Sequence, residues 1–219
     1  MYKFFKRLTD IVIAGIALII LSPIMLLAII ILLLTGEHEV FYYQERIGYK
    51  NRPFRIWKFA TMLKNSPNMG TGDLTLRDDP RVTRFGKILR ITKINELPQI
   101  INVFTGDMSI VGPRPLLDWG FHLYPPEIQE KIYNVKPGIT GIGSLIFRDE
   151  ERLISEAGDP REMYLKIAPY KGELEMWYQK NASLSLDFMI IFLTGWSLFF
   201  PHNKLQKRVF KGLPEKKLS

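Results

Sequence analysis

The strongest constraint in this sequence is one apolar segment near its N-terminus, Ile11 to Leu34, which carries no charged residue. About 20 apolar residues in a helix are enough to cross the hydrocarbon core of a bilayer. A cleaved signal peptide has a shorter apolar region followed by a small-residue cleavage site, and neither condition is met before Gly36. The segment therefore predicts that the chain is held in a membrane.

A serine and a proline, Ser22 and Pro23, interrupt the middle of this segment. Proline inside a helix leaves the carbonyl one turn back without a donor, at a cost of about 3 kcal/mol. In hydrocarbon that carbonyl needs a partner, and the Ser22 hydroxyl is a candidate. Two interpretations follow, a kinked spanning helix and a re-entrant helix that bends at Ser22-Pro23. Basic residues on both flanks favour the re-entrant helix, with both ends in the cytoplasm.

Composition narrows the class of protein. The chain has 219 residues, of which 47% are hydrophobic, enough for a membrane segment and one domain with a core. It contains no cysteine, which excludes disulfides and thiolate metal ligands or nucleophiles. The formal charge of +8 suits anionic lipid, a phosphorylated substrate or nucleic acid. Because no nucleic-acid-binding module is recognisable, we predict no nucleic-acid partner.

We divide the chain into a membrane helix over residues 1–36 and a domain over residues 37–219. The expected fold class is α+β, a mostly helical cytoplasmic domain with a small β-sheet and interfacial amphipathic helices. Apolar alternation and turn residues predict its elements: strands at 39–43, 54–59 and 108–111, a loop at 65–79, a tight loop at 136–141, a helix at 160–181 and a second membrane-facing helix at 184–200.

Two patterns are interleaved between Arg81 and Thr92. Basic residues recur at every third position beside an apolar stripe, which predicts an amphipathic basic helix at the membrane interface or facing phosphate. Its plainer interpretation is a solvated face on a core-packed helix. The next helix is predicted to begin at Asn95, a good N-terminal cap, and to end at Gly106.

A set of charged residues near glycine and proline turns could carry chemistry. Arginine and lysine side chains bind phosphate, and a nearby carboxylate can hold Mg²⁺ or attack phosphorus. By themselves these residues suit phosphate chemistry or ordinary surface ion pairs: Lys58, Arg90, Glu96, Asp107 and Arg114.

The run from Lys93 to Pro115, KINELPQIINVFTGDMSIVGPRP, resembles the signature of the bacterial sugar transferase family. These proteins are monotopic polyprenyl-phosphate phosphoglycosyl transferases, and the similarity is to their small form. Further matches, together with the apolar segment and its central Ser-Pro, extend the resemblance over nearly the whole chain: Arg46–Gly48, Pro53–Phe54, Lys58–Phe59, Asp79–Thr83 and Lys136–Gly141.

The resemblance implies transfer of a phosphosugar from a UDP-sugar to polyprenyl (undecaprenyl) phosphate, giving polyprenyl-diphospho-sugar and UMP. It implies Mg²⁺ as cofactor and an active site on the cytoplasmic face of the bacterial inner membrane. It also implies a re-entrant helix broken at Ser22-Pro23. The UDP-sugar, polyprenyl phosphate and membrane lipid are the implied partners, and the oligomeric state is left open, a homodimer being one option.

The family's motifs also imply roles for individual residues. Its catalytic Asp-Glu dyad falls on Asn95 and Glu96. The other matched positions are expected to bind phosphate or substrate at Lys58, Arg90, Arg114, Gly138 and Thr140, and metal at Glu96 and Asp107.

Two positions depart from the family pattern. Asn95 stands where the family has its nucleophilic Asp, and Ala60 stands where it usually has Arg. A neutral amide is a poor nucleophile, so a covalent phosphosugar on this residue is not expected.

Three explanations for Asn95 stay open, beside a plain role as a helix cap. Transfer is direct, with Asn95 only positioning the reactants, or the protein is an altered or inactive homologue that acts as a membrane scaffold. Alternatively another carboxylate is the nucleophile, with four candidates: Glu96, Asp107, Asp149 and Glu150.

Overall fold

The computed structural model describes residues 1–69, 78–200, 209–210 and 212–214. A long helix, α1 (Tyr2–Leu34), contains the whole apolar segment and is continuous through Pro23. The Ser22 hydroxyl donates to the Ile19 carbonyl at 2.8 Å. That carbonyl is the one that Pro23 leaves without its helical donor. The predicted local repair by Ser22 is therefore confirmed.

Helix α1 exposes most of its apolar side chains. Within its most apolar stretch only 11% of the residues are buried, and by length and composition it could cross a membrane. A core helix of the same composition in a soluble protein would be largely buried. A contiguous apolar surface of this size marks contact with lipid or a partner.

After α1, the described part of the chain combines helices with two small two-stranded sheets, so the α+β fold class is confirmed, with two sheets rather than one. The helices are α2 (Arg84–Ile91), α3 (Gln99–Thr105), α4 (Asp118–Phe121), α5 (Pro126–Gln129), α6 (Ile142–Ile146), α7 (Glu150–Ser155), α8 (Pro160–Asn181) and α9 (Leu184–Phe199). The strands are β1 (Phe41–Ile47), β2 (Pro53–Phe59), β3 (Ser109–Val111) and β4 (Gly138–Thr140).

The predicted helices at 160–181 and 184–200 correspond to α8 and α9. They pack on each other and on α6 around a buried core that includes Leu174, Tyr178 and Ile190. Of the loop predicted at 65–79, residues 70–77 lie outside the described residues.

Helix α1 packs on the domain along its whole length. Ala14 lies in a buried cluster with Val103 and Met108, while Leu32 lies in another with Phe59 and Leu89. The two ends of the apolar segment therefore contact the same domain.

Polar contacts also fix the N-terminal part of α1. The Arg7 guanidinium donates to the carbonyls of Val103 and Phe104, at 2.7 and 2.9 Å, where α3 ends. Gly106 follows with φ 103°, a left-handed conformation that glycine adopts without strain, and confirms the predicted end of this helix. One turn on, the buried Asp10 carboxylate accepts hydrogen bonds from the Ser109 hydroxyl and the backbone N–H of the next residue.

The predicted strand pair is the antiparallel hairpin of β1 and β2, in which Tyr42 lies opposite Lys58. Asn102 on α3 holds the outer edge of β2. Its amide oxygen accepts from the Trp57 N–H, and its amide nitrogen donates to the Arg55 carbonyl. These bonds place α3 against the hairpin.

The basic helix is shorter than predicted. Thr83 caps α2 by accepting from the Gly86 N–H at 3.0 Å, so the helix begins at Arg84. Arg81 lies before the cap, buried in an ion pair with Asp79 at 2.6 Å. Arg81 is therefore not part of the basic helical face.

Two further expectations are wrong. Asn95 lies in the short 3₁₀ turn Ile94–Glu96 and makes no capping hydrogen bond, so it does not cap α3. The predicted tight loop at 136–141 contains β4, which pairs in parallel with β3. A Cβ atom on Gly138 would lie 2.2 Å from the Gly112 nitrogen, which explains why glycine occupies this crossing of two backbones.

Candidate functional site

A cavity of about 520 Å³ lies between the β1–β2 hairpin and the helices that follow β3. It collects three of the predicted phosphate-binding residues and both residues of the predicted dyad. Among the described residues, its ionisable lining is predominantly basic: Arg46, Lys58, Lys64, Arg90, Lys93, Arg114 and Lys171, against Glu39, Glu96 and Glu150.

The hairpin supplies one basic wall of this cavity. Tyr42, Gln44 and Arg46 alternate along β1 and share the face on which Lys58 lies. Burial, together with the charge of Arg46, lowers the pKa of Lys58 to about 7. Burial and the charge of Arg114 lower the pKa of Arg46 to about 10. A bound anion would relieve this repulsion between neighbouring cations.

Glu96 is the carboxylate among these cations. Arg114 approaches its Oε1 atom at 3.4 Å, and the Glu96 side chain is 21% exposed. Burial opposes its ionisation, but the positive charges of Arg114, Lys58 and Lys93 outweigh burial and lower the pKa of Glu96 to about 2. In return, Glu96 raises the pKa of Arg114. Glu96 is therefore ionised at neutral pH.

Asn95 lines the cavity beside Glu96 and is only 8% exposed. Its Oδ1 atom is buried and has no hydrogen-bond partner in the described part of the chain. A buried carbonyl oxygen without a donor is costly unless a ligand or ion satisfies it. This orphaned oxygen points to a role in binding rather than in capping.

The donor atoms present suit a partly hydrated Mg²⁺. The described residues contain no group of three or more acidic, histidine or cysteine side chains that could enclose a metal. Mg²⁺ is commonly held by one or two protein oxygens together with substrate phosphates and water. The Glu96 carboxylate and the orphaned Asn95 oxygen would fit such a role.

Three predicted site residues do not line the cavity. Asp107 lies beyond the opposite end of α3, where Thr105 donates to its carboxylate at 3.1 Å. Gly138 is at the crossing with Gly112, and the Thr140 hydroxyl lies 2.7 Å from that of Thr194. The structure therefore does not join Asp107 to Glu96 in one metal site, nor does it place Gly138 or Thr140 at the cavity.

The wall opposite the hairpin was largely missed by sequence reasoning. It presents Trp119 and Tyr164, whose ring centroids are 5.2 Å apart, and the ion pair of Glu150 with Lys171 at 2.6 Å. The sequence offers Glu150 as an alternative nucleophile and as one unranked residue of the stretch 148–152 after Gly141, where sugar contacts are expected. The available signal was the acidic run after Gly141, but its pairing with a lysine on α8 depends on tertiary packing.

Comparison with known proteins gives a family match. A family model described as bacterial sugar transferase matches residues 1–201. The chain is 38% identical over 195 residues to a UDP-N-acetylgalactosamine-undecaprenyl-phosphate N-acetylgalactosaminephosphotransferase of Aeromonas hydrophila. It is 36% identical over 214 residues to a UDP-glucose:undecaprenyl-phosphate glucose-1-phosphate transferase of Klebsiella pneumoniae.

These two alignments cover 88% and 97% of this chain but only 43% and 41% of the relatives. The chain thus spans less than half the length of either protein. A third relative, the sugar transferase EpsL of Bacillus subtilis, is 38% identical over 189 residues, which cover 86% of this chain and 84% of EpsL.

The lowered pKa of Lys58 leads us to expect that anion binding in the cavity depends on pH. Because its pKa is about 7, the ammonium loses its proton as the pH rises through 7, whereas an arginine there stays charged. Between pH 6 and pH 9, we expect the Kd for pyrophosphate to rise about tenfold relative to that of Lys58→Arg, measured by calorimetry. Exposed Lys166 provides the control, and Lys166→Arg should follow the unmodified protein. Parallel profiles for Lys58→Arg and the unmodified protein would contradict this role.

Proposed function

The chain belongs to the bacterial sugar transferase family, and on that basis we propose that it transfers a phosphosugar from a UDP-sugar to polyprenyl phosphate at this cavity. The products are polyprenyl-diphospho-sugar and UMP. The observation that carries the proposal is the concentration of cationic side chains around one ionised carboxylate, Glu96, next to an exposed apolar helix. This arrangement suits a diphosphate donor and a lipid-linked phosphate acceptor.

Electrostatics support binding of the donor diphosphate. Lys58 and Arg46 lie on one wall and Arg114 on another, and each repels its basic neighbours when no anion is present. Arginine binds phosphate oxygens through a two-pronged fork, and lysine acts as a point charge. Both interactions would strengthen as charge moves onto the leaving phosphate, which favours the transition state over the ground state.

We propose direct transfer. An oxygen of the polyprenyl phosphate attacks the sugar-linked phosphorus, while the bond from that phosphorus to the bridging oxygen breaks. The bridging oxygen and its electron pair leave with UMP. Asn95 presents an uncharged amide that is a poor nucleophile and adds no repulsion toward the anionic acceptor. Glu96 is a weak base because its pKa is about 2, so it suits charge positioning better than attack.

Mg²⁺ is proposed as the cofactor, held by the Glu96 carboxylate and Asn95 Oδ1. When bound, it would supply positive charge to the diphosphate of the donor. Glu96 would then fix the position of the metal ion, and Arg114 would hold the Glu96 carboxylate in place through their contact.

The direct test is UMP release. Purified protein in detergent is incubated with Mg²⁺, polyprenyl phosphate and a panel of UDP-sugars. We expect UMP with at least one donor and a decrease in kcat/KM of about a hundredfold in Glu96→Gln. The exposed Glu127→Gln variant is the matched control and should retain full activity. Absence of UMP with every donor would refute the proposed reaction.

The mechanism has its own test in the intact mass of the protein after incubation with donor alone. Direct transfer predicts no adduct on the unmodified protein. Asn95→Asp restores a carboxylate at the family's nucleophile position, so we expect an added mass equal to one phosphosugar on this variant. A phosphosugar adduct on the unmodified protein would instead demand a carboxylate nucleophile.

We also propose that α1 is re-entrant, with the active site on the cytoplasmic face of the bacterial inner membrane. A helix of 33 residues is about 50 Å long, longer than a hydrocarbon core of about 30 Å. A straight spanning helix would separate its ends by the bilayer. Here Arg7 and Leu32, near opposite ends, both contact the same domain, which supports two ends on one side.

Two further helices are proposed to lie at the interface. Helix α2 exposes Ile88 and Ile91 beside the basic Lys87, and α9 exposes Phe188 and Phe192. The combination of exposed apolar and basic residues on α2 is typical of helices in the head-group region, whereas α9 contributes an exposed apolar surface alone. Helices α2 and α9 would hold the cavity at the depth of the lipid head groups, where the acceptor phosphate lies.

Cysteine labelling tests this topology, because the chain contains no cysteine of its own. We expect Lys3→Cys and Glu37→Cys, at the two ends of α1, to resist a membrane-impermeant maleimide in spheroplasts and to react in inside-out vesicles. Glu127→Cys in the domain provides the reference for the cytoplasmic side. Reaction of Lys3→Cys alone in spheroplasts would identify a spanning helix.

A further inference from the structure

The cavity wall opposite the hairpin carries an ion pair that the transfer step does not use. Lys171 donates to Glu150 Oε1 at 2.6 Å, and the two side chains are 5% and 21% exposed. Within the described residues, Glu150 Oε2 has no hydrogen-bond partner. The pair therefore leaves one carboxylate oxygen of a cavity-lining residue without a partner in the part of the chain that the structure describes.

Lys171 is held from several directions. Its ammonium lies 5.3 Å from the Tyr164 ring centroid and 6.0 Å from that of Phe147. Glu175, one helical turn along α8, is buried, and burial raises its pKa to about 8, so at neutral pH Glu150 supplies the negative charge that compensates Lys171. A buried lysine is stable only when its charge is compensated. These contacts fix the orientation of Glu150 in advance of ligand binding.

An aromatic pair adjoins the ion pair. Tyr164 contacts both Lys171 and Trp119, and all three line the cavity. Aromatic rings offer a flat apolar surface to the C–H face of a saccharide ring. A carboxylate accepts hydrogen bonds from saccharide hydroxyls at the ring's edge.

This wall lies beside the proposed diphosphate position. Arg114, which contacts Glu96, also lies close enough to Glu150 for that carboxylate to raise the pKa of Arg114. A ligand whose phosphate binds Arg114 can thus extend toward Trp119. Of the groups on a UDP-sugar, the pyranose ring can both stack on the aromatic pair and donate hydrogen bonds from its hydroxyls to the Glu150 carboxylate. Uracil offers one N–H donor between two carbonyl oxygens that a carboxylate repels, and ribose lacks a broad face for the aromatic rings.

On the basis of the proposed function, we propose that Glu150, oriented by Lys171, forms with Trp119 and Tyr164 the subsite that binds the donor's sugar ring and selects a neutral sugar. The fixed negative charge of Glu150 disfavours an acidic sugar such as a uronic acid, because like charges repel. Glu150 is then a specificity-determining residue rather than a nucleophile.

Calorimetric binding to the purified protein in detergent tests this assignment with UDP-glucose, UDP-glucuronic acid and UDP. We expect Glu150→Gln to raise the Kd for UDP-glucose about tenfold or more and to change the Kd for UDP by less than about twofold. The ratio of UDP-glucuronic acid to UDP-glucose affinity should rise. Glu156→Gln is the matched control, since it removes an exposed ion pair with Arg152 near the end of α7, outside the cavity. It should change none of the three affinities.

Trp119→Leu is a second variant that leaves the ion pair intact. It should also raise the Kd for UDP-glucose without changing the Kd for UDP. Equal weakening of UDP and UDP-glucose by both variants would assign the wall to the nucleoside and overturn the proposal, as would unchanged binding.

The binding experiment can be told apart from the test of the transfer reaction. If the protein binds UDP-glucose in this pattern but releases no UMP, the sugar subsite is supported and the proposed activity is refuted. If it binds neither UDP-glucose nor UDP, both proposals are refuted.

Discussion

The site depends on the packing of α1 against two buried residues and one partly buried residue. Phe59, Leu89 and Leu97 lie in the cluster that receives the C-terminal half of α1. Each is the sequence neighbour of a cavity residue, namely Lys58, Arg90 and Glu96. Because neighbouring side chains on a strand, helix or turn point in different directions, the same backbone can pack one residue under α1 and present the next to the cavity. Phe59 lies at the boundary, since it also lines the cavity. The apolar helix thus helps to place the charged groups of the cavity.

This arrangement links the packing of α1 to the electrostatics of the cavity. A cluster of cations is costly when it is withdrawn from water, and here Lys58 shows that cost in its lowered pKa. Glu96 compensates part of the charge through Arg114, but basic residues remain in excess. Because Asn95 is a neutral amide where the family has an Asp, the excess of positive charge in this cavity is larger by one than with Asp at this position. Under the proposed function, this excess of positive charge would favour two anionic substrates bound at once over a covalent intermediate on residue 95.

The sequence was most informative where function and local pattern coincide. Lys58, Glu96 and Arg114 could be placed at one site by motif, and their convergence in the cavity agrees with that expectation. The extent of α8 and the end of α3 at Gly106 followed from local periodicity and backbone preference. Contacts between distant segments were out of reach. The pair of Glu150 with Lys171 depends on how α7 meets α8, and nothing in local spacing specifies it.

Gly138 and Thr140 show how a motif can matter without reaching the cavity. The Gly138 N–H donates to the Pro113 carbonyl at 2.8 Å, and the Gly112 N–H donates to the Thr140 carbonyl at 2.9 Å. These bonds fix the backbone immediately before Arg114, and a side chain at 138 would collide with it. The second motif therefore sets the position of the Arg114 fork, and under the proposed function it would act on phosphate binding in that way. The structure thus separates residues that line the cavity from residues that set their geometry, a distinction that a sequence match alone does not make.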